Sequence, residues 1–338
     1  MHIRDVVTGA LNLTPQPLNS ALLHQKSMVI DAHCDTLTVM EEQKRCLSVY
    51  TGIGQVDLIR LKRGGVNVQF FAVFISTEDK KDVLVRVREV IARFYREMAE
   101  NTASIVPVFS YRDIVRGLTQ GKIAALLAIE GGEVLAGSLK VLSSLYLSGV
   151  RSLTLTWNHR NELGDGIAVE QPGGLTKFGM AVVREMNSLG MLVDIAHLAA
   201  PGFWDVLKTS RHPIIASHAN SYALCPHPRN LKDEQIKALA ASGGVMGLTF
   251  YPPFIHLDRP SLEKLLDHVD HIANLAGVDC IGLGSDFDGI SEVIPELSDV
   301  SCLPAFTRGL LARGYSKKAI KKILGGNLLR VLKTVISP

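Results

Sequence analysis

Eight short, nearly continuous apolar runs punctuate the chain: MVIDAH at 28–33, VNVQFFAVFI at 66–75, IAALLAIE at 123–130, VRSLTLTW at 150–157, MLVDIAH at 191–197, PIIASH at 213–218, GVMGLTFY at 244–251 and IGLGSD at 281–286. Continuous apolarity, as opposed to alternation with polar residues, is what a parallel strand covered on both faces requires. Helical patterns lie between most of the runs. Segments 82–100, 176–189 and 261–276 repeat apolar residues at three- and four-residue intervals, and 231–244 adds a helix that ends at a glycine stop. Strands alternating with helices predict an α/β fold, and eight of them predict a closed (β/α)8 TIM-like barrel in preference to an open sheet. There is no Gly-rich phosphate loop of the GxGxxG or Walker type, which weakens a dinucleotide-binding alternative.

At 338 residues and 47% hydrophobic content the chain can bury a large core. No linker or low-complexity segment divides it, so residues 1–338 read as a single barrel domain, with 1–27 an N-terminal arm or extra helix outside the barrel. The formal net charge is +3 with the basic residues dispersed, which gives no footprint for nucleic acid or a membrane surface. A small molecule is the expected partner. The amino-terminal MHIRDVVTGALNLTPQPLNS has no signal-like apolar block, and no run of 18 apolar residues occurs anywhere. Five scattered cysteines without CxxC spacing (34, 46, 225, 280 and 302) fit a reducing compartment, so a cytoplasmic location is expected.

Barrel enzymes place their chemistry at the carboxyl ends of the strands. The first run ends at His33 and Asp35, whose side chains share a face in an extended chain while Cys34 points away to pack as a small hydrophobe. The third run ends at Glu130, and later runs end at His197, His218 and Asp286. Taken singly, each has a structural alternative: Glu130 as a helix cap with Glu133 the functional acid, and the histidines bonded to backbone carbonyls in the core. Their coincidence at strand ends favours metal binding. Four terminal ligands (His33, Asp35, His197, His218) and Glu130 as a bridge suffice for two divalent cations, which together can deprotonate a shared water and polarise a carbonyl. Asp286 would carry the proton, and Asp288 lies further beyond the strand end. His212 and His227, beside prolines, read as surface residues, and the loop 158–174 as part of an active site.

The motifs DAHCDT (31–36), AIEGGE (128–133), LTLTWN (153–158), DIAHLA (194–199), IIASHANSYALC (214–225) with PRN (228–230), and GLGSDFDG (282–289) resemble, in order, those of the membrane or renal dipeptidase family, peptidase family M19, within the amidohydrolase-like barrels. The late segment GGNLLRVL (325–332) is also similar. The resemblance implies a dipeptidase with two Zn²⁺ per chain that tolerates a D-residue at the carboxyl side and attacks through a metal-bridging hydroxide. It implies that His33 and Asp35 hold one zinc, that His197 and His218 hold the other, that Glu130 bridges them and that Asp286 is the acid/base. Arg229, with Tyr251, would hold the substrate carboxylate, a task suited to the planar fork of a guanidinium. It further implies a homodimer. The absence of a visible anchor signal likens the chain to the bacterial branch.

One departure stands out. Family members carry a histidine directly after the LTLT segment to contact the reacting carbonyl; here that position is Trp157, and His159 is the candidate substitute. Two rival readings are a related deaminase or amidase, and a barrel that binds without turnover. The deaminating relatives generally open with His-x-His, whereas this chain has His33-x-Asp35, and a complete ligand set beside Asp286 argues against a mere binder.

Overall fold

The structure, a computed structural model, describes residues 16–75 and 82–337. Nine strands occur in it: β1 (Ile30–Asp31), β2 (Val68–Phe74), β3 (Ile105–Pro107), β4 (Ile123–Glu130), β5 (Val150–Thr154), β6 (Leu192–Asp194), β7 (Ile215–Ala216), β8 (Val245–Leu248) and β9 (Ile281–Leu283). Eight of them, β1, β2 and β4–β9, pair in parallel and close into a ring, with β9 returning to β1 and β2 adjoining β4. Each of the eight apolar runs supplies one ring strand. β3 was not expected. It pairs with residues 123–125 of β4, on the edge that β5 takes over from Leu127, and three residues ending in a proline leave no periodic signal in the sequence.

The strands are shorter than the apolar runs. His33, His197, His218 and Asp286 stand two or three residues past their strand ends, and of the five metal candidates Glu130 alone lies within a strand. Ile30, Val68, Phe70, Ala124, Leu126, Leu192, Ile215 and Val245, from six strands, meet in one buried cluster and so fill the barrel, joined by Leu328, Val331 and Leu332 of the C-terminal helix Asn327–Val335. Phe71, Val73, Ala125, Leu127 and Ile129 alternate to the outside, against the helices. Since residues 124, 126 and 128 of β4 face inward, the pleat carries Glu130 into the barrel mouth on the same face.

The expected helices form as Val83–Glu100, Lys177–Leu189, Asp233–Ala241 and Leu262–Ala276. Asp82, Thr176 and Ser261 start three of them by accepting backbone N–H bonds, which satisfies donors the first turn would leave free. Residues 1–15 of the expected arm lie outside the described residues. Gln16–Gln25 is a helix packed on Leu303–Ala312, where the buried His24 bonds Thr307 Oγ1 (2.7 Å) and donates to the Gly64 carbonyl (2.8 Å). Among the described residues no helix is long and apolar enough to cross a membrane.

His268, fully buried on helix Leu262–Ala276, accepts the Ser221 N–H at Nδ1 (3.1 Å) and donates from Nε2 to the Ile255 carbonyl (2.8 Å). A neutral ring satisfies both bonds, and burial pulls its pKa down to about 4. The unfolded chain, with an ordinary histidine near 6.5, binds this proton first, so stability falls as pH drops through the window from 6.5 to 4. The loss should reach about 3 kcal/mol. Urea unfolding of wild type and His268→Gln across that window checks this: the variant should lose stability less steeply, by about 1.4 kcal/mol per pH unit.

Candidate active site and metal centre

The exits of the ring strands converge on one cavity of about 560 Å³, whose walls include Asp35, Glu130, His197, His218, Arg229 and Asp286. His33 Nε2 lies 3.2 Å from Asp35 Oδ2, 3.5 Å from Glu130 Oε2 and 3.9 Å from Asp286 Oδ1. Asp35 occupies the N-cap of helix Thr36–Val39 yet makes no side-chain cap bond, which leaves its carboxylate for the site. On the other side, Glu130 Oε1 lies 2.8 Å from His197 Nε2 and 3.5 Å from His218 Nε2. Cys34 turns away from the cavity, fully buried, with its thiol on the Phe70 carbonyl.

Two of these residues sit in the left-handed backbone region that L-residues rarely adopt, His197 at φ 64° and Asp286 at φ 69°. Such strain persists where the surroundings enforce it. The His197 carbonyl accepts the Ile167 N–H (2.9 Å), so the loop after β5 holds that turn, and Asp286 donates its N–H to the His33 carbonyl (3.2 Å).

Electrostatics divide the site. Burial alone would depress His33, but Glu130 and Asp35 outweigh it and hold the ring well above its ordinary range. Burial raises Glu130, yet the charged His33 ring beside it pulls it well below the usual carboxylate value. Burial, with Arg229 nearby, lowers His197 to about 4, and burial with His33 keeps His218 neutral as well. Asp286, buried beside Asp35 and Glu130, is pushed up to about 8.

The donor set fits divalent cations on a specific ground. His197 Nδ1 bonds Asn158 Oδ1 (2.7 Å), and His218 Nδ1 bonds Ser217 Oγ (2.8 Å), whose own proton goes to Asp194 Oδ2 (2.5 Å). Both rings therefore carry their proton on Nδ1, and two bare Nε2 lone pairs face each other at 2.9 Å beside a carboxylate. No proton is available to join them; a cation is what such a pair accommodates. Among the described residues, metal-capable groups form three overlapping triads: His33, Asp35, Glu130; Glu130, His197, His218; and His33, His218, Asp286.

Arg229 is buried, with its Nη2 on the His218 carbonyl (3.2 Å), its guanidinium 5.5 Å from the Phe254 ring, and its Nε without a hydrogen-bond partner among the described residues. Burial draws its pKa down to about 10. Tyr251 lines the same cavity, edge-on to Phe254. His159 does not: it is exposed, its ring 5.9 Å from that of Trp157, and the cavity wall is made instead by Trp157 and Asn158. Beyond Asn158 the chain leaves the rim, with Arg160 paired to Asp165. His227, expected at the surface, instead lines the cavity and packs on Phe254 at 4.3 Å, because the loop carrying Arg229 folds back over the mouth. Asp288 is held by Thr36, Arg45 and the Gln55 N–H, away from the histidines. Asn158, which fixes the His197 ring, was missed; its amide next to a strand end was the available signal.

The family model of the membrane dipeptidases, peptidase family M19, matches residues 19–337. The chain belongs to this family. As an M19 chain it is 36% identical over 296 residues to Dipeptidase aclJ of Aspergillus oryzae, spanning 83% of this chain and 70% of that one. It is 34% identical to Dipeptidase verJ of Clonostachys rogersoniana over 84% and 76% of the two chains. Among solved structures, a metallo peptidase from Rhodobacter sphaeroides, liganded with a phosphinate mimic of the dipeptide L-Ala-D-Ala, superposes with a TM-score of 0.85 at 26% identity, covering 92% of this chain and 100% of that one. The M19 assignment makes this protein a dipeptidase and a metal-dependent hydrolase with a (β/α)8 barrel.

Proposed function

We propose that the site is a binuclear zinc centre hydrolysing dipeptides, including those with a D-residue at the carboxyl side. The observation that carries this reading is the placement of Glu130: one oxygen faces His33, beside Asp35, and the other faces His197 and His218. A carboxylate with an oxygen turned to each of two donor sets is a bridge between them. Cations held there would lower the pKa of a water and polarise the scissile carbonyl.

The remaining work falls to protein groups. Asp286, at the rim between His33 and Arg229, would take the proton of the attacking water and hand it to the leaving amine. Arg229 and Tyr251 would hold the free carboxylate, both lining the cavity. Tolerance of a D-residue is supported by the L-Ala-D-Ala mimic held by the R. sphaeroides relative. A homodimer is proposed on the family resemblance, to be checked by sedimentation, and a cytoplasmic location on the five free cysteines.

Elemental analysis after zinc loading should approach two equivalents per chain; a value that stays near one overturns the binuclear reading. Glu130→Gln should weaken both equivalents together, roughly 10–100-fold or more, because a neutral amide cannot serve both donor sets. A dipeptide panel with L-to-D pairs tests the substrate class.

A further inference from the structure

Two buried aspartates end strands β1 and β6, and no step of the chemistry above uses them. Asp31 and Asp194 are 0% and 1% exposed, and each accepts the same four bonds. Oδ1 takes the backbone N–H of a serine at the exit of a neighbouring strand, Ser285 beyond β9 at 2.8 Å and Ser217 beyond β7 at 2.8 Å. The same Oδ1 takes the N–H two residues further along its own chain, His33 at 3.4 Å and Ala196 at 3.0 Å. Oδ2 takes the serine hydroxyl, at 2.6 Å and 2.5 Å. It also takes a side-chain donor from the strand on the opposite side, Gln69 Nε2 of β2 at 3.0 Å and Thr154 Oγ1 of β5 at 2.7 Å.

A carboxylate buried in an apolar barrel is costly unless it is satisfied in this way, and closing the ring does not require one. β2, β8 and β9 end in Phe74, Leu248 and Leu283. The two aspartates and their serines are set apart by the site residues that stand just beyond them in the chain. His33 and His197 come two and three residues after the aspartates, and His218 and Asp286 come immediately after the serines.

We propose that the two aspartate–serine clasps are positioning residues with separate tasks, Asp194–Ser217 fixing the donor atom of His218 and Asp31–Ser285 bracing the turn that aims Asp286. This rests on the metal reading above. The clasps differ in one contact. Ser217 Oγ gives its proton to Asp194 and accepts that of His218 Nδ1, which fixes the ring with Nε2 bare. Ser285 Oγ touches no ring; it meets the His33 carbonyl (3.1 Å) and the Phe287 N–H (3.2 Å), bracing the turn on which Asp286 holds its left-handed backbone. The Ser217 clasp thus acts on a ligand's donor atom and the Ser285 clasp on the aim of the proton carrier. Ser217 has little room to drift, since a Cβ on Gly247 or Gly284 would stand 2.1 Å or 1.7 Å from its carbonyl oxygen.

Calorimetric titration of the metal-stripped protein with zinc chloride separates the outcomes. Ser217→Ala should weaken one equivalent about 10–100-fold and leave the other as in wild type. Ser285→Ala should bind both equivalents normally while kcat falls and KM holds. Thr154→Val removes a bond to the same Asp194 oxygen without touching a ring, and should leave both equivalents unchanged. If Ser217→Ala does not fold, Ser217→Cys replaces it, sulfur being a weak acceptor, with the same single loss expected. Two normal equivalents in the folded Ser217 variant, or a Thr154→Val that reproduces its loss, overturns the proposal. A wild-type protein that takes up no divalent cation overturns the metal reading itself.

Discussion

Replacing Asp286 by asparagine should leave the metal content intact and lower turnover by about 10²–10⁴-fold, the range for loss of a group that moves a proton in the transition state. The geometry gives the reason. Asp286 Oδ1 is 3.9 Å from His33 Nε2, close enough to face the same reacting centre and too far to be tied up by that ring. Burial beside Asp35 and Glu130 pushes this carboxyl up to about 8. The proposed cations would favour the carboxylate, which is the form a base needs. Asparagine keeps the shape and an oxygen but cannot carry a proton. Steady-state kinetics with metal analysis of the same sample checks it; near-normal turnover at full metal content moves the role to another residue.

The second large effect concerns the substrate's end. Amidating the carboxyl terminus of a dipeptide leaves the scissile bond unchanged but removes the charge that Arg229 is proposed to bind. A guanidinium this deeply buried, with Nε unpartnered among the described residues, loses its proposed anionic partner in that case. The cost should be roughly 2–5 kcal/mol in kcat/KM, about 30- to 5,000-fold. Arg229→Ala should reproduce most of the loss with free dipeptides, and in that variant free and amidated substrates should be cleaved at similar, low efficiency. Wild-type enzyme that cleaves both equally well would show that the carboxylate is not read.

The ring strands were legible because burial on both faces leaves an unbroken apolar run, and the helix starts because Asp82, Thr176 and Ser261 are capping residue types at the right offsets. β3 was not, since three residues against one half of an edge produce no pattern. In the site, the approach of His33, Asp35, Glu130, His197, His218 and Asp286 followed from strand-end positions alone. The residues that escaped are those whose part depends on how loops fold back: His227 in the cavity wall, Asn158 on the His197 ring, and His159 turned outward. The buried aspartates did leave a trace, a carboxylate inside an otherwise apolar run in both MVIDAH and MLVDIAH, which a fold must pair before it can bury.

Cys34 has a practical consequence of its own. It lies between His33 and Asp35 in sequence, yet its sulfur is wholly enclosed, and burial pushes the thiol pKa well up. A maleimide can reach it only in molecules whose rim has come apart. Because its two neighbours are proposed to grip zinc, each added increment of zinc should hold the rim shut and slow the labelling, as mass action requires. The modification rate at this one sulfur is therefore a built-in clock for how often the catalytic end of the barrel breathes open, readable by mass spectrometry without any substrate present.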